Sequence, residues 1–225
     1  MQQPLHRRLV AEAIGAAMLL AAVVGSGIMG ERLAAGNVAV ALLANSIATG
    51  GALVALILAF GPISGAHFNP AVTLAVALEG GIAWREAPAY VIAQIGGAFA
   101  GVAIAHQMFG LPLFFASQHV RQGRSQLLAE FVATFGLLAV IAGCGRFKPS
   151  MVPFGAAAYI VAAYWFTAST SFANPAVTLA RSVTDTFAGI RPIDAPSFIA
   201  AQLCGAVVAA ALFRWFDTDR RKGAI

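Results

Sequence analysis

The same seven residues, NPAVTLA, occur twice in this chain, at residues 69–75 and again at 174–180. Chance does not produce a seven-residue identity 105 positions apart. The stretch AEAIGAAMLLAAVVGSG (11–27) also matches AEFVATFGLLAVIAGCG (129–145) at seven of seventeen positions. We therefore predict a tandem duplication, with halves of about 1–110 and 120–225 that together form one domain covering residues 1–225.

The composition places both halves in a membrane. Of the 225 residues, 60% are apolar and 10% are charged, whereas an ordinary soluble domain has about 25% charged residues. A crossing needs about 20 residues, so six crossings leave little chain for a separate soluble catalytic domain. The first segment also resembles a cleaved signal peptide, but its internal repetition argues against cleavage. Six candidate spans cover residues 9–29, 37–60, 87–109, 127–143, 152–168 and 197–216.

Three spans in each half predict an inverted repeat, because an odd number of crossings sends the second half into the membrane from the opposite side. Loop charges indicate its direction through the positive-inside rule. With both termini in the cytoplasm, nine basic residues are inside and five are outside. The inside set is Arg7, Arg8, Arg85, Arg146, Lys148, Arg214, Arg220, Arg221 and Lys222, and the outside set is Arg32, Arg121, Arg124, Arg181 and Arg191.

Each NPAVTLA motif predicts the start of a short helix. Asparagine is a good N-cap and proline suits the first helical position. The run 69–78 gives roughly 15 Å, about half of a hydrocarbon core. In an inverted repeat two such half-helices meet end to end, with their positive N-termini at the midplane. The motif residues are Asn69, Pro70, Ala71, Asn174, Pro175 and Ala176.

The segments before the motifs are predicted to be extended and to line a cavity, since irregular backbone is tolerated at that depth only there. Their carbonyl groups would form a ladder of acceptors, and the motif asparagines would supply N–H donors. Such a pore suits small uncharged molecules with hydroxyl groups. The carbonyls belong to Gly65, Ala66, His67, Thr170, Ser171 and Phe172.

The pair HFNPAVTLA and FANPAVTLA, the approach ISGAHFNPA and the Ala-Glu pattern that opens each half resemble the aquaporin or major intrinsic protein family over essentially the whole chain. The resemblance implies an all-α membrane protein with six transmembrane helices, two re-entrant half-helices, one pore per subunit and a homotetramer. It also implies an integral protein of a bacterial inner membrane, with the lipid bilayer and small neutral solutes as its partners.

The resemblance further implies a four-residue selectivity filter. Counting from the two motif asparagines, its positions carry Thr49, Ala162, Ser171 and Val177. Family members usually have an arginine at the position of Val177. Because all four residues are small and uncharged, we expect a wide filter that passes arsenite and other metalloid acids, glycerol or urea as well as water.

Four ionisable residues have two interpretations each. Glu12 and Glu130 are costly in a membrane and are functional candidates by default, either as proton-carrying carboxylates or as structural tethers for the half-helix loops. His67 either responds to pH or holds its loop. Arg181, one turn beyond Val177, is either a vestibule charge that attracts anions or an interface anchor.

A passive channel is the leading hypothesis, and a secondary transporter with broken helices is the alternative. An enzyme is not predicted, because the sequence has no paired aspartates and no serine with a plausible base at membrane depth. No cofactor and no metal site are predicted. The scattered basic residues form no continuous patch, so we expect no nucleic-acid partner.

Overall fold

The computed structural model describes residues 3–222, with side chains up to residue 216, and this part of the chain folds into helices and loops without strands. The side chains of Arg220, Arg221 and Lys222, which the topology prediction uses, lie outside this description. The helices are α1 (Leu5–Leu33), α2 (Val38–Ser64), α3 (Pro70–Leu78), α4 (Ala87–Met108), α5 (Arg124–Phe147), α6 (Val152–Phe166), α7 (Pro175–Arg181) and α8 (Ala195–Lys222).

Six of these helices correspond to the six predicted spans. Five of them, α1, α2, α4, α5 and the first 22 residues of α8, are long and apolar enough to cross a membrane among the described residues. The other, α6, has 15 residues and follows a short 3₁₀ turn at Pro149–Met151. The all-α membrane fold predicted from the sequence is confirmed, and the protein is a multi-pass integral membrane protein.

The two halves pack in the same way. In the first half α1 contacts α2 and α4, and in the second half α5 contacts α6 and α8, while α2 and α6 join the halves. Glycines allow the close approach: a Cβ on Gly97 would collide with the carbonyl of Ala13, and one on Gly205 would lie 2.7 Å from the carbonyl oxygen of Phe131. Small residues bring membrane helices together in this way.

The half-helices α3 and α7 begin as the motifs predict. The Oδ1 atom of Asn69 accepts a hydrogen bond from the backbone N–H of Ala71, and the Oδ1 atom of Asn174 accepts from Ala176 and Val177. A proline follows each cap at the first helical position. With nine and seven residues, α3 and α7 are too short to span a bilayer alone.

The segments that precede the half-helices are not simply extended, so that prediction is wrong at Gly65, Ala66, Thr170 and Ser171, all of which have positive φ angles. Ala66 and Phe68 have positive φ angles of 50° and 49°, and Ser171 and Ala173 have angles of 51° and 47°. Such angles cost energy for residues with a side chain and persist only where the surroundings hold them. The surroundings here are two buried glutamates.

Candidate functional site

The two motif asparagines bind each other's loops at the centre of the molecule. The Nδ2 atom of Asn69 donates to the carbonyl of Ala173 at 2.8 Å, and that of Asn174 donates to the carbonyl of Phe68 at 2.8 Å. The N-termini of α3 and α7 therefore face each other. Because each amide nitrogen carries two hydrogens, each asparagine retains one N–H, and both residues line the same cavity.

Glu12 fixes the direction of the first loop. Its carboxylate is fully buried and accepts the backbone N–H groups of His67 and Phe68 at 3.0 and 2.7 Å, as well as the side chains of Ser64 and Gln94. In a trans peptide the carbonyl points opposite to the N–H of the next residue. The carbonyls before His67 and Phe68 therefore point away from Glu12.

Glu130 does the same for the second loop. Its buried carboxylate accepts the N–H groups of Phe172 and Ala173, both at 2.9 Å, and the side-chain amide of Gln202 at 2.6 Å. Gln202 also donates to Thr178, as Gln94 donates to Thr73 in the first half. Since donors surround both carboxylates, the geometry favours the tethering role over a proton carrier.

Serine side chains extend this arrangement by one residue in each loop. Ser64 Oγ accepts the N–H of Ala66, and Ser169 Oγ accepts the N–H of Ser171. Three consecutive carbonyls in each loop, six in all, therefore point away from the glutamate and serine side chains. Within the described residues, none of these six carbonyls accepts a hydrogen bond. They are the predicted acceptors, namely those of Gly65, Ala66, His67, Thr170, Ser171 and Phe172.

A cavity of about 170 Å³ runs past these groups. Residues of α1, α2, α3, α5, α6 and α7 contribute to its wall, and five of the six acceptor residues line it, Thr170 being the exception. A second, more polar cavity borders Arg8, Ser64 and Tyr90, and the two share Gly65 and His67. The ring of His67 is held by a 3.1 Å contact between Nδ1 and Thr73 Oγ1, and the residue borders both cavities.

Three of the four predicted filter residues line the main cavity. Thr49, Ser171 and Val177 are 3, 3 and 5% exposed and lie in its wall. Ala162 does not: it lies on the exposed face of α6, away from the cavity. The assignment of Ala162 to the filter is therefore corrected.

The phase of α6 explains the error. Its cavity-lining residues recur every fourth position, at Val152, Ala156, Ile160 and Tyr164, and such residues share one face of a helix. Ala162 falls midway between the last two and points to the opposite side. Tyr164 occupies the wall instead. It follows Ile160 by four residues, and counting in steps of four along α6 identifies it.

Arg181 also lines the cavity, although the charge count treats it as a loop residue. It is 2% exposed, its Cζ lies 3.3 Å from the centroid of the Phe172 ring, and its Nε donates to the carbonyl of Ala188. Arg121 approaches the same ring at 5.0 Å and donates to the carbonyls of Ser169 and Gly189. Two guanidinium groups therefore flank one aromatic ring of the pore loop.

The loop before α8 contains a half-buried ion pair outside the membrane-spanning segments. Asp194 accepts two hydrogen bonds from Arg191, both at 3.0 Å, and one from the backbone N–H of Arg121 at 2.8 Å. Burial acts to raise the pKa of Asp194, but these hydrogen bonds and the charge of Arg191 hold that pKa below its ordinary value. The carboxylate thus secures the loop that carries Arg121.

Comparison with known proteins agrees with this geometry. The family described as Major intrinsic protein matches residues 1–146 and 127–224. The chain is 59% identical over 211 residues to the protein named Aquaglyceroporin AqpS of Rhizobium meliloti (strain 1021), which covers 94% of this chain and 90% of that protein.

More distant relatives match in part. Aquaporin NIP1-1 of Zea mays is 36% identical over 142 residues, which is 62% of this chain and 49% of that protein. The X-ray structure of the aquaglyceroporin from Plasmodium falciparum superimposes with a TM-score of 0.71 over 93% of this chain and 96% of that one. At 19% identity this likeness concerns the fold.

Proposed function

Because this chain belongs to the major intrinsic protein family, and is therefore a passive membrane channel, we propose that its pore conducts water, glycerol and other small neutral solutes that carry hydroxyl groups. The relative named as an aquaglyceroporin, at 59% identity, supports this solute class. The closer solute range follows from the chemistry of the pore wall.

The observation that carries the proposal is the pairing of donors and acceptors along the cavity. Asn69 and Asn174, each with one remaining N–H group, line the same cavity as a row of carbonyls that no protein donor among the described residues occupies. A hydroxyl group needs both, since it donates one hydrogen bond and accepts others. A cation finds N–H donors at the centre, where it would need acceptors.

We assign the filter to Thr49, Tyr164, Ser171 and Val177. Tyr164 replaces Ala162 because it lines the cavity, and its hydroxyl lies 3.2 Å from Thr49. Val177 supplies no donor, so the wall at that position sorts solutes by size. Glycerol, urea and arsenite fit this description, since arsenite near neutral pH is the neutral triol As(OH)₃.

The contacts at the centre support a channel over a carrier. The asparagine bonds between the halves cross in both directions, and the tethers of both loops are buried. A carrier that alternates its access would have to break them in every cycle. A channel needs no such movement.

We further propose a single domain of two inverted repeats, 1–110 and 120–225, with both termini in the cytoplasm of a bacterial inner membrane. The excess of basic residues on one side supports this orientation, and the bacterial relative supports the location. Exposed apolar side chains such as Ile47 and Trp165 provide surfaces for lipid or for neighbouring subunits, and we propose a homotetramer, as the family resemblance implies.

Flux measurements in proteoliposomes test the proposal. Purified protein is reconstituted and swelling or tracer entry is followed for water, glycerol, urea and arsenite on the same preparation. We expect fluxes that rise linearly with solute concentration and do not respond to a proton gradient. Saturation together with coupling to that gradient would instead establish the secondary transporter, and flux no greater than that of empty liposomes would reject the solute assignment.

A further inference from the structure

Arg181 is a buried cation that has no role in the filter proposed above. Its one hydrogen bond in the described part of the chain goes from Nε to the carbonyl of Ala188, and none of the ion pairs seen there includes it. Arginine has five N–H donors in a fixed fork. Four of them, on the two Nη atoms, are therefore left for something other than the protein.

Helix geometry brings the guanidinium back towards the filter. Arg181 lies one turn after Val177 on α7, and long side chains on a helix lean towards its N-terminus. The end of the Arg181 side chain therefore extends along the face that carries Val177, where the short valine leaves space. Both residues line the same cavity as Ser171 and Phe172, and the guanidinium lies against the Phe172 ring.

Ser171 carries a buried hydroxyl in the same wall. Its side chain is 3% exposed, it lines the cavity, and its Oγ atom has no hydrogen-bond partner among the described residues. A buried hydroxyl without a partner is costly. The hydroxyls of Thr49 and Tyr164 lie in the same cavity wall, and so does the guanidinium of Arg181, which forms no ion pair among the described residues.

We propose that Arg181 is the solute-selecting cation of this pore, in the place where Val177 offers neither charge nor donor. Its Nη groups bind a small neutral solute that has at least two acceptor oxygens. Its charge repels cations, because two like charges interact strongly where water is scarce. This inference rests on the proposed channel function and assigns the exclusion of cations from the pore to Arg181.

The test compares cation leak and neutral flux in phosphatidylcholine and phosphatidylglycerol liposomes. A potassium diffusion potential measures cation leak, and swelling measures glycerol and water flux. Arg181→Met removes the charge and keeps an unbranched side chain, although a shorter one, and Arg181→Gln keeps a polar group as a second neutral variant. We expect either to raise cation leak about tenfold or more, since a unit charge in a poorly hydrated pore outweighs thermal energy, and to lower the ratio of glycerol to water flux.

Arg32→Met is the matched control. Arg32 also lies over an aromatic ring, that of Phe109 at 5.0 Å, and donates to a backbone carbonyl, but it does not line the cavity. It should leave both readouts unchanged. Val177→Arg placed in the Arg181→Met background should restore cation exclusion, because it returns a guanidinium to the same face of α7.

The possible failures have different meanings. If wild-type liposomes conduct neither water nor glycerol, the proposed function fails before the role of Arg181 is reached. If the wild type conducts glycerol but also leaks potassium freely, Arg181 is not a charge filter. The inference is likewise overturned if the neutral variants conduct water like the wild type and show unchanged cation leak and an unchanged glycerol-to-water ratio.

Discussion

The phenol oxygen of Tyr164 lies 3.2 Å from the hydroxyl oxygen of Thr49, so a single hydrogen bond joins α6 to α2 in the wall of the cavity. Both side chains are buried, at 3% exposure each. The proposed filter is therefore bounded on this side by an aromatic ring and a threonine that hold each other in place. The chain positions of the two residues differ by 115, and only the fold brings them together.

Tyr164→Ala should widen the filter. The change removes the ring from the wall, so glycerol flux should rise several-fold relative to water flux in reconstituted vesicles. Ala162→Phe is the matched control, because it adds an aromatic ring to the same helix on the exposed face. We expect it to leave the ratio unchanged. If Ala162→Phe instead blocked glycerol flux, Ala162 would be the filter residue on α6, as counting from Asn174 predicts.

Replacing either central asparagine by aspartate should impair conduction. In Asn69→Asp and in Asn174→Asp a carboxylate faces the carbonyl to which the amide now donates. We expect neutral flux to fall about fivefold or more, because an unmatched buried polar group costs about 1–3 kcal/mol and roughly 1.4 kcal/mol is a factor of ten. The other expected result is that cations enter the pore. Swelling and potassium leak are measured together. Normal values of both in the two variants would contradict the central role.

Val177→Arg should narrow the pore. The new side chain adds length and a second guanidinium on the same face as Arg181, so glycerol and arsenite flux should fall several-fold more than water flux. Thr49→Phe separates size from charge, because it adds bulk alone and displaces the contact with Tyr164. Uptake is measured in vesicles with matched protein content. An unchanged ratio of large-solute flux to water flux in both variants would locate selectivity elsewhere in the pore.

Glu12→Gln and Glu130→Gln should destabilise the loops. Each change places an NH₂ group where a carboxylate oxygen accepts backbone N–H groups. The loss of a charged acceptor from a buried network is worth about 1–3 kcal/mol, so thermal unfolding in detergent should begin at a lower temperature. A proton-carrier role predicts the reverse pattern, in which stability is retained and a response of flux to a proton gradient is lost.

Asp194→Asn should lower stability in a pH-dependent way. Because hydrogen bonds from Arg191 and Arg121 hold the pKa of Asp194 below its ordinary value, the ionised carboxylate stabilises the folded state above the ordinary aspartate pKa of about 3.9. That contribution disappears as the pH falls through the lower pKa of the folded state. The Tm of the wild type should therefore exceed that of the variant by a few degrees at pH 7, and the two should converge in acid. A difference independent of pH would show that the ion pair is not its cause.

The repeat and its motifs were sufficient to predict the fold and the centre of the site. The caps of α3 and α7, the six acceptor carbonyls and the symmetric glutamates follow from local chemistry that the duplication displays twice. The filter was harder because its residues were found by counting along the chain. Counting places a residue in the sequence, whereas the rotation of α6 decides that Tyr164 and not Ala162 points inward.

Two further features depended on side-chain reach and on backbone strain. Arg181 follows Val177 by four residues, so its involvement requires a long side chain directed back along the helix. The positive φ angles at Ala66 and Ser171 arise because buried carboxylates collect successive N–H groups on one side. An extended strand was the natural expectation from residues that carry no preference for the left-handed region.

The exchange of hydrogen bonds between Asn69 and Ala173 and between Asn174 and Phe68 makes the two halves of the chain interdependent. Each half provides one donor and one acceptor, and each leaves its own loop incomplete without the other. The pore therefore belongs to the seam between the repeats, and neither repeat contains it. A single ancestral repeat with this loop could have conducted only as a pair of copies facing in opposite directions, and gene fusion would have made that pairing permanent.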